Sequence, residues 1–298
     1  MNDEWPTDMI ISKITSGLGN QLFQYALARN LAQQRNASLY LDLSYYKYQY
    51  PDDTVRHFKL DRFNINYKRL DHSPLQFLTK GTKLLPNRSL RPFIASVNEK
   101  QFHFDKNVLR TRATCTILSG FWQSEKYFKE SADIIRRELT VTDNPRPLFR
   151  AYQKQIRSSV RPVSVHIRRG DYVNHPAFSE TFGFVGLGYY KRAFQLVADR
   201  LGDHQLFVFS DDQVWAKDNL KLKADTVFVC NEGENSDLDD LLLMRSCQHH
   251  IIANSSFSWW GAWLNPAKDK LVVAPKQWYR NQPTWDTKDL VLPSWISL

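Results

Sequence analysis

The sequence predicts a two-domain α/β protein whose sheets are mostly parallel. Three observations point there. Between Met9 and Leu43 the chain reads as strand, glycine loop, helix and second strand. From Val163 to Ala274 short β-branched runs alternate with amphipathic helical runs, the pattern of a parallel sheet covered on both faces. The length of 298 residues suits two domains of roughly 150 residues each, and the expected division is 1–155 and 156–298.

Residues 9–15 form the first β-rich run, followed by the loop Ser16-Gly17-Leu18-Gly19. From Asn20 to Asn36 the apolar positions Leu22, Phe23, Ala26, Leu27 and Leu31 keep a helical period, and Leu39–Leu43 reads as a strand. Residues 44–112 are rich in Tyr, Arg and Lys and broken by Pro51, Pro74, Pro86 and Pro92, so no element is assigned there. Thr116–Phe121 reads as a strand. A helix from about Ser124 to Leu139 follows, with Phe128, Ile134, Ile135 and Leu139 as its stripe. Val141–Arg150 is a turn-rich boundary. Beyond it the expected strands are Val163–Ile167, Leu206–Ser210, Val227–Cys230, His250–Ala253 and Leu271–Ala274. The helices between them are Tyr189–Leu201, Gln213–Leu222, Leu238–Cys247 and Trp259–Leu264. In such sheets ligands bind at the carboxyl ends of the strands, and the notable motifs fall there.

Composition narrows the function classes. Hydrophobic residues at 42% and charged residues at 24% are those of a globular chain, not a disordered one. The net charge of +9 favours anionic partners, but the basic residues are spread along the chain without a nucleic-acid arm. Cys115, Cys230 and Cys247 are odd in number and widely spaced, against a disulfide framework or a structural zinc. The acidic start MNDEW is neither a signal peptide nor an anchor, and no apolar run reaches about 18 residues. A cytoplasmic protein is expected, with a basic surface drawn to anionic headgroups on the inner membrane face. Aromatics reach 13% with nine Trp; most belong to the core, and some can line a site.

Four motifs carry chemistry. In Val165-His166-Ile167-Arg168-Arg169-Gly170-Asp171-Tyr172 a strand ends in two arginines and an acid. A guanidinium holds phosphate with two parallel hydrogen bonds at any working pH; a structural Arg–Asp pair is the alternative. Gly17-Leu18-Gly19-Asn20-Gln21 lets backbone and a helix N-terminus approach an anion, or is an Asn-capped turn. In Phe209-Ser210-Asp211-Asp212 adjacent acids can hold a sugar hydroxyl, or Asp212 caps the next helix. Asn254, Ser255, Ser256, Phe257 and Ser258 precede Trp259-Trp260-Gly261-Ala262-Trp263, a second phosphate cradle or the start of a helix whose Trp residues are core.

Taken together, GLGNQLFQYALA, GFWQSEKYF, HIRRGDY, FSDD and SSFSWWGAWL occur in the order found in the α-1,2-fucosyltransferases of bacteria and animals, which this chain resembles over residues 10 to 275. It differs from the animal members in lacking an N-terminal membrane anchor. The resemblance implies a GT-B type α/β fold, with two Rossmann-like domains facing a cleft, residues 1–155 on the acceptor side and residues 156–298 binding the GDP-sugar. It implies GDP-β-L-fucose as donor, a galactose 2-hydroxyl as acceptor and an inverted α-1,2 linkage. The acceptor is a galactose-terminated glycan, free or lipid-linked, and no nucleic acid is a partner. Neither a cofactor nor a metal is expected, because Arg168 and the helix N-termini can stabilise charge building on the leaving diphosphate. Another GDP-sugar is the alternative donor. No motif sets an oligomeric state.

Within that frame the catalytic candidates are Arg168 and Asp171. The substrate-binding candidates are Gly19, Asn20, Gln21, His166, Arg169, Ser210, Asp211, Asp240, Asn254, Ser255, Ser256, Phe257 and Ser258. The resemblance suggests that guanine is read by His166 through its backbone and by Asp240, whose carboxylate matches adjacent N–H donors. First-turn helix charge is the alternative for Asp239 and Asp240. Asp171 is placed either as acceptor base or as a holder of the arginines. Glu180 and His175, in the glycine-bearing loop Asn174–Gly188, are alternative bases.

Overall fold

A computed structural model describes residues 8–48, 54–73, 93–141, 146–220, 222, 224–233, 235–282 and 284–298. The chain divides into two compact units, Met1–Asp143 with Asp286–Leu290, and Asn144–Trp285 with Val291–Leu298. Each is built on one parallel sheet.

The first unit contains β1 (Met9–Lys13), β2 (Ser38–Asp42), β3 (Lys68–Arg69), β4 (Ile94–Asn98) and β5 (Cys115–Ser119). Their spatial order is β3-β2-β1-β5-β4, all parallel. Helix α1 (Leu18–Arg35) follows β1, as its periodic apolar stripe predicts, and Leu22, Phe23, Ala26, Leu27 and Leu31 are buried. It stops at Asn36, which takes the left-handed conformation at φ 48°. Two short helices follow later, α2 (Lys106–Leu109) and α3 (Ala132–Glu138).

The single helix expected over 124–139 is broken. The Ser124 side chain caps a 3-10 turn by accepting from Lys126 N, and Phe128 leaves helical geometry at φ −144°. That departure buries Tyr127 and Phe128, and only then does α3 begin. Burial of two aromatic rings outweighs helical continuity here.

The second unit holds β6 (Pro162–Ile167), β7 (Gln205–Ser210), β8 (Asp225–Phe228), β9 (His249–Ile251), β10 (Val272–Ala274) and β11 (Ile296–Ser297). All pairs are parallel and the order is β11-β10-β9-β6-β7-β8. Read from β8, this is the doubly wound order in which the chain turns back between β6 and β9. The two sheets are the Rossmann-like pair expected of a GT-B type protein. The connecting helices are α4 (Pro147–Ser158), α5 (Gly170–Asn174), α6 (Pro176–Thr181), α7 (Leu187–Leu201), α8 (Gln213–Asn219), α9 (Ser236–Ser246) and α10 (Ser256–Leu264).

Period-two alternation places Leu206 and Val208 of β7 in one core layer with Tyr190, Ala193 and Val197 of α7. Phe207 and Phe209 point the other way, onto Phe149 and Ile156 of α4 and Leu243 and Met244 of α9. Helix α4 lies within the segment read as turn-rich, of which residues 142–145 are outside the described residues. Pro147 stands at its first turn, where a missing N–H costs nothing. Because α4 packs on β7, the units divide before it, and a boundary at 155 would cut through it. The expected loop Asn174–Gly188 likewise contains α6, started by Pro176. Among the described residues no helix is long and apolar enough to cross a membrane.

Candidate active site

The carboxyl edge of the second sheet gathers most of the motifs. Strand β6 is buried throughout, and its ladder to β7 ends at the pair Ile167–Ser210. Arg168 and Arg169 therefore leave the sheet beside the residues that follow β7. Arg168 Nη1 lies 2.9 Å from Asp211 Oδ2, and its Nη2 lies 2.7 Å from Asp171. Arg169 donates its backbone N–H to Asp211 Oδ1 at 2.8 Å, and its guanidinium pairs with Asp212 at 2.8 Å over the Trp215 ring. Burial disfavours charge on Arg168, but Asp211 and then Asp171 outweigh it and raise its pKa. Two guanidinium groups thus sit among three carboxylates, held in fixed orientations. Gly170 belongs to the same construction: a Cβ there would stand 2.8 Å from Asp211 Oδ2.

Asp212 also caps α8, its side chain accepting from Trp215 N, as the capping alternative anticipates. The Ser210 hydroxyl accepts from Asp212 N at 3.0 Å, so it shapes this turn. His166 is buried and its pKa is pushed down to about 3, first by burial and then by Arg168, which keeps the ring neutral. Its backbone carbonyl accepts the Tyr190 hydroxyl at 2.9 Å. The ring Nδ1 is buried without a hydrogen-bond partner, and Phe257 lies 5.5 Å from the ring.

After β9 the motif Asn254–Ser258 turns into α10. Asn254 donates its amide to the carbonyls of Phe182, Gly183 and Trp278. It fastens the segment after α6 to the chain beyond β10, while its Oδ1 is buried without a hydrogen-bond partner. Ser255 is the N-cap residue, and Ser258 bonds back to Ala253 N and Ser255 O. The amides of Ser256 and Phe257 remain for an anion at the positive end of α10. Trp259, Trp260 and Trp263 are buried together, the core alternative for these rings.

Asp240 lies in the second turn of α9. Its carboxylate accepts from Asn231 Nδ2 at 2.6 Å, just beyond β8. Burial dominates its environment and pushes its pKa up to about 7, helped by Asp237 and Asp239 and opposed by the Asn231 hydrogen bond and Arg146. Asp239 is paired with Arg146 at 2.6 Å. Asn231 Oδ1 is buried and carries no hydrogen bond, so this corner offers an unused amide acceptor beside a carboxyl.

In the first unit the glycine motif opens α1, with Gly17 at the N-cap and Ser16 at φ 65°. Gly19 is buried. The Gln21 amide donates to Ser16 O and His57 O and accepts from Lys59 N, tying a loop to the helix. Asn20 accepts from Gln123 Nε2 at 2.8 Å, joining the motif after β1 to the one after β5. Asp171, near the start of α5, has the holding geometry on Arg168. Of the alternative bases, Glu180 is exposed on α6, and the His175 ring stacks on Phe178 at 4.5 Å.

Four supporting residues escape motif-based reasoning: Asn231, Tyr190, Arg146 and Glu99. The Glu99 carboxylate accepts the backbone N–H groups of Phe121 and Trp122 at 2.6 and 2.9 Å. A Cβ on Gly120 would meet Glu99 Cβ at 2.4 Å. Only Asn231 carried a readable signal, a polar residue just past a strand's carboxyl end.

Comparison with known proteins agrees with this geometry. Residues 9–298 match the glycosyl transferase family 11 model. The chain is 32% identical to the O-antigen biosynthesis glycosyltransferase WbnK of Escherichia coli, covering 96% of this chain and 99% of that one. An α-1,2-colitosyltransferase of Escherichia coli is also 32% identical, over 92% of this chain and 93% of its own length. Galactoside α-(1,2)-fucosyltransferase 2 of Rattus norvegicus is 30% identical over 49% of this chain and 43% of that protein. Among solved structures, fucosyltransferase NodZ from Bradyrhizobium shares the fold, with a TM-score of 0.53 at 16% identity over 87% of this chain and 94% of that one.

Proposed function

Because the chain belongs to glycosyl transferase family 11 over residues 9–298, we propose that it moves L-fucose from GDP-β-L-fucose to the 2-hydroxyl of a galactose residue, inverting the anomeric centre. The observation that carries this is the clamped Arg168 where the doubly wound sheet changes direction, between β6 and β9. When the sugar leaves, charge builds on the β-phosphate while the ring becomes oxocarbenium-like. A guanidinium whose plane is already fixed by Asp171 and Asp211 spends little reorganisation in meeting that charge. The amides opening α10 can take a second phosphate oxygen.

Since three carboxylates accompany the two arginines, the diphosphate is held by direct N–H donation more than by long-range attraction. Arg168 is the catalytic residue in this scheme, with Asp171 and Asp211 positioning it. Arg169 braces the turn after β7 through Asp212. We assign guanine to Asp240, with Asn231 Oδ1 as a further acceptor for its exocyclic amine. Catalysis needs no metal, because the arginine and the helix amides supply the positive charge. The acceptor is a galactose-terminated glycan.

The α-1,2-colitosyltransferase relative supports a second donor of the same class, GDP-colitose, whose sugar is fucose without its 3-hydroxyl. Competition between the two donors on one galactoside, read as product per time at equal concentration, separates them. A preference for GDP-fucose supports the first assignment. A preference for GDP-colitose replaces it. Transfer from neither, with turnover of a UDP-sugar, overturns both.

A further inference from the structure

Tyr172 connects the two features of the second unit to which the diphosphate is assigned, Arg168 and the start of α10. It is half-buried on α5, next to Asp171 in the chain, and both residues reach Arg168. Asp171 pairs with the guanidinium at 2.7 Å, and the centre of the Tyr172 ring lies 5.4 Å from Arg168 Cζ. A guanidinium within about 6 Å of a ring centroid is attracted by the negative face of the ring, more strongly where water is excluded. Only 22% of the Arg168 side chain is exposed. Asp171 and Asp211 each take an N–H group of Arg168, whereas the ring takes none. The ring therefore restrains the guanidinium and leaves its remaining donors to a phosphate.

The far end of the same side chain is fastened to the turn that leads into α10. The Tyr172 hydroxyl donates to the Asn254 carbonyl at 3.3 Å. Its ring stacks on Phe182 at 5.0 Å, with 11° between the planes, and the Phe182 carbonyl accepts the Asn254 amide at 3.2 Å. Tyr172, Phe182 and Asn254 thus close a ring of contacts. Asn254 stands two residues before Ser256, the first residue of α10. One tyrosine spans from the clamped guanidinium to the backbone that carries the helix amides. Phenylalanine keeps the first contact and loses the second; leucine loses both.

We propose that Tyr172 is a positioning residue that fixes Arg168 relative to the amides of Ser256 and Phe257, so that both meet one diphosphate. The assignment rests on the proposed transfer from a GDP-sugar, and the test reads the two separately. Calorimetry with GDP and with GMP needs no turnover and isolates the β-phosphate, the group that Arg168 meets. Tyr172→Leu should weaken GDP binding and lower kcat by about tenfold each, the order that a desolvated cation–π contact and one hydrogen bond imply, and leave GMP binding within about twofold. Tyr172→Phe, which keeps the ring and its stack, should lower kcat about threefold. In an Arg168→Lys background Tyr172→Leu should change kcat by less than about twofold, because the contact it supports is already lost. Parental kcat in Tyr172→Phe overturns the assignment. Equal loss of GDP and GMP affinity in Tyr172→Leu overturns it too, since the residue then only supports the fold at this corner. A parent protein that binds neither nucleotide refutes the GDP-sugar reading and takes the assignment with it.

Discussion

The proposed reading of guanine by Asp240 predicts a pH dependence of donor binding that an ordinary carboxylate would not give. Its pKa stands at about 7 because burial disfavours the charge, with Asp237 and Asp239 adding to the effect. Asn231 and Arg146 oppose it but do not prevail. Guanine presents N–H donors, so it needs the carboxylate form. Binding then requires that Asp240 give up its proton, and the apparent affinity follows the ionised fraction. Relative to pH 9, affinity should halve at pH 7, fall about elevenfold at pH 6 and about a hundredfold at pH 5, or roughly 1.36 kcal/mol per unit in the steep region.

GDP-fucose is the right probe, because its diphosphate, esterified at both ends, does not titrate in this window. Calorimetry in buffers of different ionisation enthalpy should show close to one proton released per donor bound at pH 6. Asp240→Asn should flatten the profile at weak affinity. The folded protein supplies an independent check. A carboxyl whose folded pKa is raised contributes stability below the unfolded pKa of 3.8, and that contribution is lost as pH rises through about 7. Asp240→Asn should therefore raise the melting temperature at pH 8 and leave it nearly unchanged at pH 4. Affinity that stays level from pH 8 to pH 5.5 without proton release refutes the guanine assignment.

Other outcomes follow from the same geometry. Arg168→Lys should lower kcat by about a hundredfold or more, since a point charge cannot reproduce the fork between Asp211 and Asp171; near-parental turnover contradicts its role. Asp171→Asn should raise the donor Michaelis constant and keep part of kcat, because the residue holds Arg168; lost turnover with intact donor binding returns it to the role of base. Trp263→Ala, in the buried tryptophan cluster of α10, should cost about 3–5 kcal/mol in urea unfolding, and a loss below about 1 kcal/mol contradicts its core placement. Activity should persist in EDTA; loss that Mn²⁺ restores contradicts the metal-independent scheme.

The parallel α/β architecture was legible because its signals are local and periodic. The stripe of α1, the alternation of β6 and β7 and the glycine loop before α1 each lie within one stretch of chain. Elements that depend on distant partners were not legible. Strand β4 exists because β5 offers it an edge, and its own residues Ile94–Asn98 are half exposed. Helix α4 carries only Phe149 and Ile156 as buried residues, and its proline-rich start reads as a turn until β7 lies beneath it. The same division holds for the site. A pair of arginines at a strand end can be read directly. That Asp211 grips both of them cannot, because it arrives from the next strand. Gln21 and Asn254 show a structural role that the motifs do not reveal, their amide N–H groups donating to backbone carbonyls of distant segments.

The central claim is the transfer of fucose to the 2-hydroxyl of galactose with inversion, and the structure of the product tests it most directly. The protein is incubated with GDP-β-L-fucose and lactose, and the purified trisaccharide is examined by two-dimensional NMR. The account predicts an α-configured fucose anomeric proton with a through-bond correlation to carbon 2 of the galactose ring. A β-configured fucose, or a correlation to any other galactose or glucose carbon, contradicts it.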